Sequence, residues 1–477
     1  MKISSKKLLA VLLAVFMLVT SAVPSFAMSE DEWADVWASE DAQAGIVMFV
    51  GSDETQRNFS WYTADENEPS VKVSTDALMS SAKTYNGISI AAPDGDYANK
   101  VVVTDLEAGV TYYYQCVSGD FTSEVYSFTT DDDADFSALY VTDVHVSHSN
   151  EDENSLRDTA LKFNNTIEDA MSNNADISLI LSAGDQASEG YESEYKAYSA
   201  NPWLNSVSLA TAIGNHDRKG VAYKTFTNYS NEDKNAAVSS YIGDDYWFVK
   251  GDALFLVMDS NNPNAADHAL FVESAIAANP GVRWKIMMFH HDLYSGRLPH
   301  RESENGLLRM LWGPIADEYG IDLVLLGHSH YYTVTNVLYN NKNVSDFAPE
   351  MADPEGTVYM VSCSVNRPRN DDEIGLNDWI GSDYLTDNPT YNILDFTADS
   401  VTVNSYELGA DEPFNSFTIT KSTDNGGHKQ IGELQSMWNG FVRAISKIYA
   451  IFNNIGVYSD LKEDGYDVNF FDCILGK

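Results

Sequence analysis

The chain has 477 residues, 44% of them hydrophobic and 12% aromatic, which is too long for one ordinary domain and rich enough for sizeable cores. Its 71 acidic and 29 basic residues give a formal charge of −42, a surface that repels nucleic acid and anionic membrane and excludes nucleic-acid binding as a main role. Three cysteines, Cys116, Cys363 and Cys473, are too few for a disulfide framework.

Residues 1–27 read as a secretory signal peptide. Lys2, Lys6 and Lys7 form the charged start, Leu8 to Thr20 the apolar stretch, and Ser25-Phe26-Ala27 a cleavage site before Met28. The apolar stretch falls short of the about 20 residues of a spanning helix, and no later segment is long and apolar enough to span. No cysteine follows the cleavage site to take a lipid. The mature protein is expected to be exported and soluble, extracellular, in the manner of a bacterial secreted protein.

Residues 41–130 carry short alternating segments (GIVMFVG, RNFSWYT, SVKVST, NKVVVTDL, VTYYYQCV, EVYSFTT) between Gly, Asp, Asn and Pro signals, the pattern of a small β-sandwich. It holds no metal-binding constellation, so a structural or positioning role is expected. Asp131-Asp132-Asp133 reads as a linker.

From 135 to 408, strands alternate with helical stretches, which implies a layered α/β domain. Asn154-Ser155 opens a helix marked by Leu156, Leu161, Ile167 and Met171, and Ala269–Ala278 and Leu307–Tyr319 are further helices. Short strands return at TVYMVSCS, TYNILDFT and SVTVNSYEL. Residues 409–477 form a tail with an apolar stripe from Ile431 to Phe452 at about 3.6-residue spacing. It either packs back onto the chain's own domains, the simpler reading, or docks a partner or the cell surface.

Five polar motifs punctuate the α/β domain: Asp143-Val144-His145, Gly184-Asp185, Gly214-Asn215-His216-Asp217, His290-His291 and Gly327-His328-Ser329-His330. Four of them directly follow an apolar run, the placement of ligands at the carboxyl ends of buried strands. Six of the ten histidines fall in these motifs. Imidazole and oxygen donors from separate loops suit two metal ions in the Zn, Fe or Mn range. Asp185, after the tight Gly184 turn, is placed to bridge them. Asp143 and His145, two apart on an extended strand end, point the same way and chelate one ion. His328 and His330 share that spacing, or reach different metals if the loop bends between them. Asn215 supplies a neutral amide oxygen, and His290 ends a strand. Asp217 either orients the His216 ring or is a solvated turn residue.

As a set, these motifs resemble those of the calcineurin-like metallophosphoesterases. VTDLEAGVTYYYQC and VYSFTT, in turn, look like the closing strands of the fibronectin-III-like domain that precedes the catalytic domain in purple acid phosphatases. The resemblance spans about Gly45 to Leu408. It implies an N-terminal all-β sandwich followed by an α/β four-layer αββα domain, with a partly helical tail left uncovered. It also implies phosphate-ester hydrolysis by a metal-activated hydroxide, with a small phosphate ester as the partner and two divalent or trivalent metal ions as cofactors.

Carried over by motif, Asp143, His145, Asp185 and His330 hold the first metal, and Asp185, Asn215, His290 and His328 the second. His216 aids the transition state as a catalytic residue, with Asp217 beside it. His300 is a candidate acid for the leaving group. His291 supports the ligands or lines the pocket, and Tyr294 stacks on a substrate or simply packs. Arg301 is a candidate phosphate contact unless it and His300 are an exposed loop pair. All three stand as candidate substrate-binding residues. Three positions depart from the purple acid phosphatase pattern. Ser188 stands where the metal-bound tyrosine is found, His145 where Gly is usual, and Thr333 where an Arg follows Gly-His-x-His-x-Tyr. The resemblance, with Ser188, implies a colourless enzyme. Hydrolysis of phosphate monoesters leads, a phosphodiesterase or nucleotide hydrolase using the same site is the alternative, and a surface binding protein acting through the β module or tail is the reading from another class.

Overall fold

The computed structural model describes residues 29–31, 33, 43–132, 134–147, 154–233, 243–296, 305–370, 377–424 and 426–471. The signal-peptide segment, His300, Arg301 and Cys473 lie outside the described residues. No helix among the described residues is long and apolar enough to cross a membrane.

The N-terminal module is a sandwich. Strands Ala44–Val50, Arg57–Thr63, Tyr97–Val103 and Ile88–Ala91 form one antiparallel sheet, and Lys83–Asn86, Pro69–Ser74 and Thr111–Ser118 the core of the other. Alternation along these strands turns Phe59, Trp61, Val71, Tyr114 and Phe128 into the space between them. Three strands escape the sequence pattern, Lys83–Asn86, Ile88–Ala91 and Phe121–Thr122. All are short and lack buried residues, so alternation leaves no signature in them.

This module is joined to the catalytic domain by more than a tether. Ala44–Val50 runs parallel to Ser208–Thr211 with Phe49 opposite Leu209, so the sandwich sheet and a catalytic sheet form one eleven-stranded sheet. The Phe49 ring packs edge-on against Phe226 and Tyr229 of the catalytic domain. Asp131 is not a loose linker residue. It accepts from the Ser178 hydroxyl at 3.0 Å and pairs at 2.5 Å with buried Lys250, which also holds Glu54 at 2.8 Å.

The α/β domain is layered, as its alternating pattern implies, with two sheets packed face to face and helices outside them, the four layers that the resemblance implies. In the first sheet Phe136–Val141 lies between parallel Ile177–Ser182 and antiparallel Thr390–Phe396, with Ser208–Thr211 beyond. The second sheet places Ala253–Val257, Trp284–Met288, Leu323–Leu326 and Val358–Val361 side by side and parallel. Strands covered on both faces read as continuous apolar runs. Ala253, Phe255 and Val257 accordingly join the core between the sheets, while Leu254, Leu256 and Met258 join the core under helices Ala265–Ala278 and Asn305–Tyr319. Helix Ser155–Asn173 covers the first sheet with Phe163, Ile167 and Ala170. Asn154 takes the cap position without a side-chain cap bond.

One expected boundary moves. Strand Asn415–Thr420 pairs with Ser400–Glu407, so the first sheet continues past Leu408. With only Phe417 and Ile419 buried, it is too short to announce itself by period. The tail helix spans Glu433–Glu463 and does pack back, against the two helices of the outer layer, but of its apolar stripe only Val442 is buried there. Its buried face carries Asn439, Val442, Ser446, Ala450, Asn454, Val457 and Leu461.

Candidate metal centre

All five motifs sit at the carboxyl ends of neighbouring strands, including Gly214-Asn215-His216-Asp217, which follows the strand Ser208–Thr211. The loops turn sharply there. Asp143, His145, Asp185, His328 and His330 have φ of 51°, 48°, 54°, 72° and 60°. These left-handed conformations are costly for residues with a Cβ and cluster at functional sites. The expectation that Asp143 and His145 point together from an extended strand end is therefore corrected: the backbone coils at both. The bend between His328 and His330 aims them at different clusters.

Three glycines let these loops approach each other. A Cβ on Gly214 would lie 2.0 Å from Asp185 Oδ1, one on Gly327 2.5 Å from Asp143 Oδ2, and one on Gly184, at φ 95°, 2.6 Å from His290 Nδ1.

Two groups of donor atoms result. In the first, His145 Nε2 lies 3.2 Å from His330 Nε2, 3.8 Å from Asp143 Oδ1 and 3.5 Å from Asp185 Oδ2, and His330 Nε2 lies 3.2 Å from Asp143 Oδ1. In the second, His290 Nε2 lies 3.3 Å from Asp185 Oδ2, 3.0 Å from Asn215 Oδ1 and 3.3 Å from His328 Nδ1. The groups meet at Asp185 Oδ2. Its other oxygen, Oδ1, is held by the His216 backbone N–H at 2.8 Å.

These residues fit a pair of metal ions. Bonds of about 2.0–2.2 Å to N and O ligands in a tetrahedron put neighbouring donors roughly 3.3–3.6 Å apart, and the donor separations here, 3.0–3.8 Å, bracket that range. Buried Asp143 Oδ1 has no hydrogen-bond donor among the described residues. Two imidazoles also have their outer nitrogens fixed, with His290 Nδ1 donating to the Ala183 carbonyl at 2.9 Å and His330 Nδ1 to the Arg367 carbonyl at 2.7 Å. That arrangement turns the Nε2 lone pairs inward, as in metal-ligating histidines.

The electrostatics agree. Burial lowers the His145 imidazole to about 3, keeping it neutral and basic at its lone pair. Burial also works against a charged His290, yet Asp185 and Asp143 lift it to about 10. The two carboxylates thus make the pocket a place for positive charge, which bound cations supply.

Asp217 is neither solvated nor beside the His216 ring. Its buried carboxylate accepts from the backbone N–H of Asp185 at 2.7 Å, Gly214 at 2.8 Å and Ala187 at 3.0 Å, and from the Tyr195 hydroxyl at 2.8 Å. It ties the Gly184-Asp185 turn to the Gly214-Asn215 turn, so it acts as a positioning residue. His216 is half-buried, with Nδ1 on the Ser188 carbonyl at 2.6 Å and its ring edge-on to His145.

A cleft of about 590 Å³ opens beside the second group, lined among others by Asn215, Arg218, Lys219, Ser260 and His291. His291 is thus at the cleft, with Nδ1 2.8 Å from Ser260 Oγ. Tyr294 is not at the cleft. It is buried in the outer core against Tyr359 and Trp379, with its hydroxyl on Asn341, which is the packing alternative and not the substrate contact. The opposite wall comes from the tail helix through Tyr449, Asn453, Val457 and Asp460.

Sequence reasoning passed over Arg218, Lys219 and Arg367. The first two directly follow the Gly-Asn-His-Asp motif, a signal available in the sequence. Arg367 lies in the loop after Val358–Val361, and its Nη2 donates to Ser188 Oγ at 2.9 Å. Nothing in SVNRPRN marks it beforehand.

Residues 136–332 match the calcineurin-like phosphoesterase family, and residues 43–130 match the purple acid phosphatase N-terminal domain. Among solved structures, the chain is similar to purple acid phosphatase PPD1 from yellow lupin (Lupinus luteus) seeds. The two are 15% identical with a TM-score of 0.67, over 82% of this chain and 76% of that one. A structure of PhoD is similar at 11% identity and a TM-score of 0.54, over 85% of this chain and 98% of that one. At these identities the likeness speaks for the fold. No curated protein matches the chain.

Proposed function

From a chain that joins a purple acid phosphatase N-terminal domain to a calcineurin-like phosphoesterase domain, and is thereby a metal-dependent phosphoric ester hydrolase, we infer an exported phosphomonoesterase whose two metal ions share Asp185. The observation that carries the two-metal assignment is the position of Asp185 Oδ2, within 3.5 Å of His145 Nε2 on one side and 3.3 Å of His290 Nε2 on the other. Asp143, His145 and His330 complete the first site, and Asn215, His290 and His328 the second. The neutral Asn215 amide keeps the summed ligand charge low. The signal-peptide pattern of residues 1–27 supports export.

Two such cations supply Lewis acidity towards a phosphoryl oxygen and activate water near neutral pH. The chain's own groups do the rest. His216, with Nδ1 engaged by Ser188 O, presents Nε2 to the first site and passes a hydrogen bond or proton to the phosphoryl or leaving oxygen. Arg218 and Lys219, the latter paired with Glu189 at 3.0 Å, place two cations at the cleft directly after His216-Asp217, while Asp460, Glu463 and Asp464 line it from the tail. The two cations beside the metal groups suit the dianion of a monoester better than a diester. Ser188 offers a hydroxyl held by Arg367 and no phenolate, so a colourless enzyme is expected.

His216→Ala should lower kcat by about 10²–10⁴-fold with metal content unchanged. Metal lost along with activity would make His216 a ligand instead. The substrate reading is tested by hydrolysis of p-nitrophenyl phosphate and bis-p-nitrophenyl phosphate side by side, with chelator and with Zn, Mn or Fe restored. Chelator-sensitive turnover favouring the monoester is expected. A preference for the diester would promote the second reading, a phosphodiesterase or nucleotide hydrolase. The volume of the cleft and the Tyr449 ring on its far wall are what recommend that reading, because they leave room for a second ester group.

A further inference from the structure

The tail helix lies on the body with the wrong face inward for an isolated chain. Asn439 donates to Glu318 at 3.0 Å, Arg443 pairs with Glu318 at 2.7 Å, and Asn453 donates to the Asn261 carbonyl at 3.2 Å. Small and polar residues fill much of the buried face, Ser446, Ala450 and Asn454 among them. The large apolar side chains point away from the body. Leu434, Trp438, Phe441 and Ile445, continued by Ile448, Phe452 and Ile455, are all exposed, between 39% and 83%. An amphipathic helix of a monomer does the reverse.

The spacing of that outer row identifies the occupant. The steps from Leu434 to Ile455 alternate four, three, four, three, four, three, a 3.5-residue repeat without a break. This is the a/d seam of a coiled coil, the pattern that packs one helix against another along a straight line. A membrane surface asks only for a broad apolar stripe.

The area agrees with a helix partner. With Met437, Tyr449 and Ile451 at its margins, the seam exposes on the order of 1,000 Å², taking about 150–250 Å² per large side chain. The largest apolar patch on a monomer is typically about 300–600 Å². A stable interface buries about 800 Å² per partner.

Charge points the same way. Between Glu433 and Asp460 the helix has no acidic residue; of its two cations Arg443 is held against the body by Glu318 at 2.7 Å, and Lys447 is exposed at the side of the helix, 4.0 Å from Asp267. On a chain of charge −42, this acid-free strip is where two copies approach with least repulsion.

We propose that the outer seam of the tail helix is a homodimer interface, in which Leu434 to Ile455 of one chain packs against the same seam of a second copy about a two-fold axis. The inner face of the helix walls the substrate cleft, so pairing also fastens that wall in place.

Sedimentation velocity on the full chain at micromolar concentration and physiological salt tests this. The wild type is expected at twice 52.8 kDa, and a Phe441→Asn, Ile448→Asn variant at 52.8 kDa with an unchanged far-UV circular dichroism spectrum. Both residues are exposed on the single chain, so folding does not require them. A wild type that stays monomeric overturns the proposal, as does a variant that still dimerises. Monomeric wild type that floats with phosphatidylcholine vesicles, and is released by the same double substitution, would hand the seam to lipid.

Discussion

Asp185→Ala is expected to abolish turnover and metal loading together. Its Oδ2 is the atom on which both donor groups converge, and among the described residues no other carboxylate oxygen pairs with both His145 and His290 at ligand spacing. Removing it leaves each site one ligand short and removes the charge that holds two cations side by side. A fall of about 10⁴-fold or more in kcat/KM follows, equivalent to roughly 5.5 kcal/mol of transition-state stabilisation. Metal analysis of the purified variant should show both ions depleted, with the circular dichroism spectrum retained. A variant that keeps both metals and loses only activity would recast Asp185 as a proton acceptor.

Asp217→Ala is expected to look different. Three buried backbone N–H groups lose their acceptor, each at about 1–3 kcal/mol when left unpaired. A loss of about 3–9 kcal/mol lowers the melting temperature by roughly 10 °C or more in a domain of this size. The loosened turns carry Asp185 and Asn215, so metal affinity weakens by about 10–100-fold, as when a group that orients a ligand is removed. At saturating metal most of kcat should return. A fall in kcat of about 10²-fold or more with metal affinity intact would instead restore Asp217 to the acid–base chemistry.

The contrast between these residues shows how the site could and could not be read beforehand. Asp143, His145, Asp185, Asn215, His290, His328 and His330 stand in short motifs behind apolar runs, and the fold brings all seven into two groups around one oxygen. Strand ends are legible because period and composition change there abruptly. The left-handed backbone at His145 and His328 is not, since φ depends on how the loops pack. Asp217 gave no sign of its role because its partners are backbone N–H groups from two separate loops, and a sequence does not display backbone groups. Arg367 reaches Ser188 from 179 positions away along the chain. A tyrosine four residues after His290 reads equally as a substrate contact or a packing residue, and only the fold decides, because the chain turns into the helical layer at Leu293 and Tyr294.

The same limit explains the tail. Its apolar stripe is plain in the sequence, and an isolated stripe implies that the helix buries it. Which face meets the body is decided by what the body offers, here the Glu318 carboxylate and the Asn261 carbonyl, which call for Asn439, Arg443 and Asn453. Packing back onto the chain and presenting an apolar face outward are therefore compatible.

The most direct test of the central claim is an anomalous difference map from a crystal of the chain grown with Mn or Zn. Two peaks about 3.5–4 Å apart, flanking Asp185 Oδ2, are expected, one beside His145 and His330 and the other beside His290 and His328. A single peak, or two that do not share Asp185, would contradict the account.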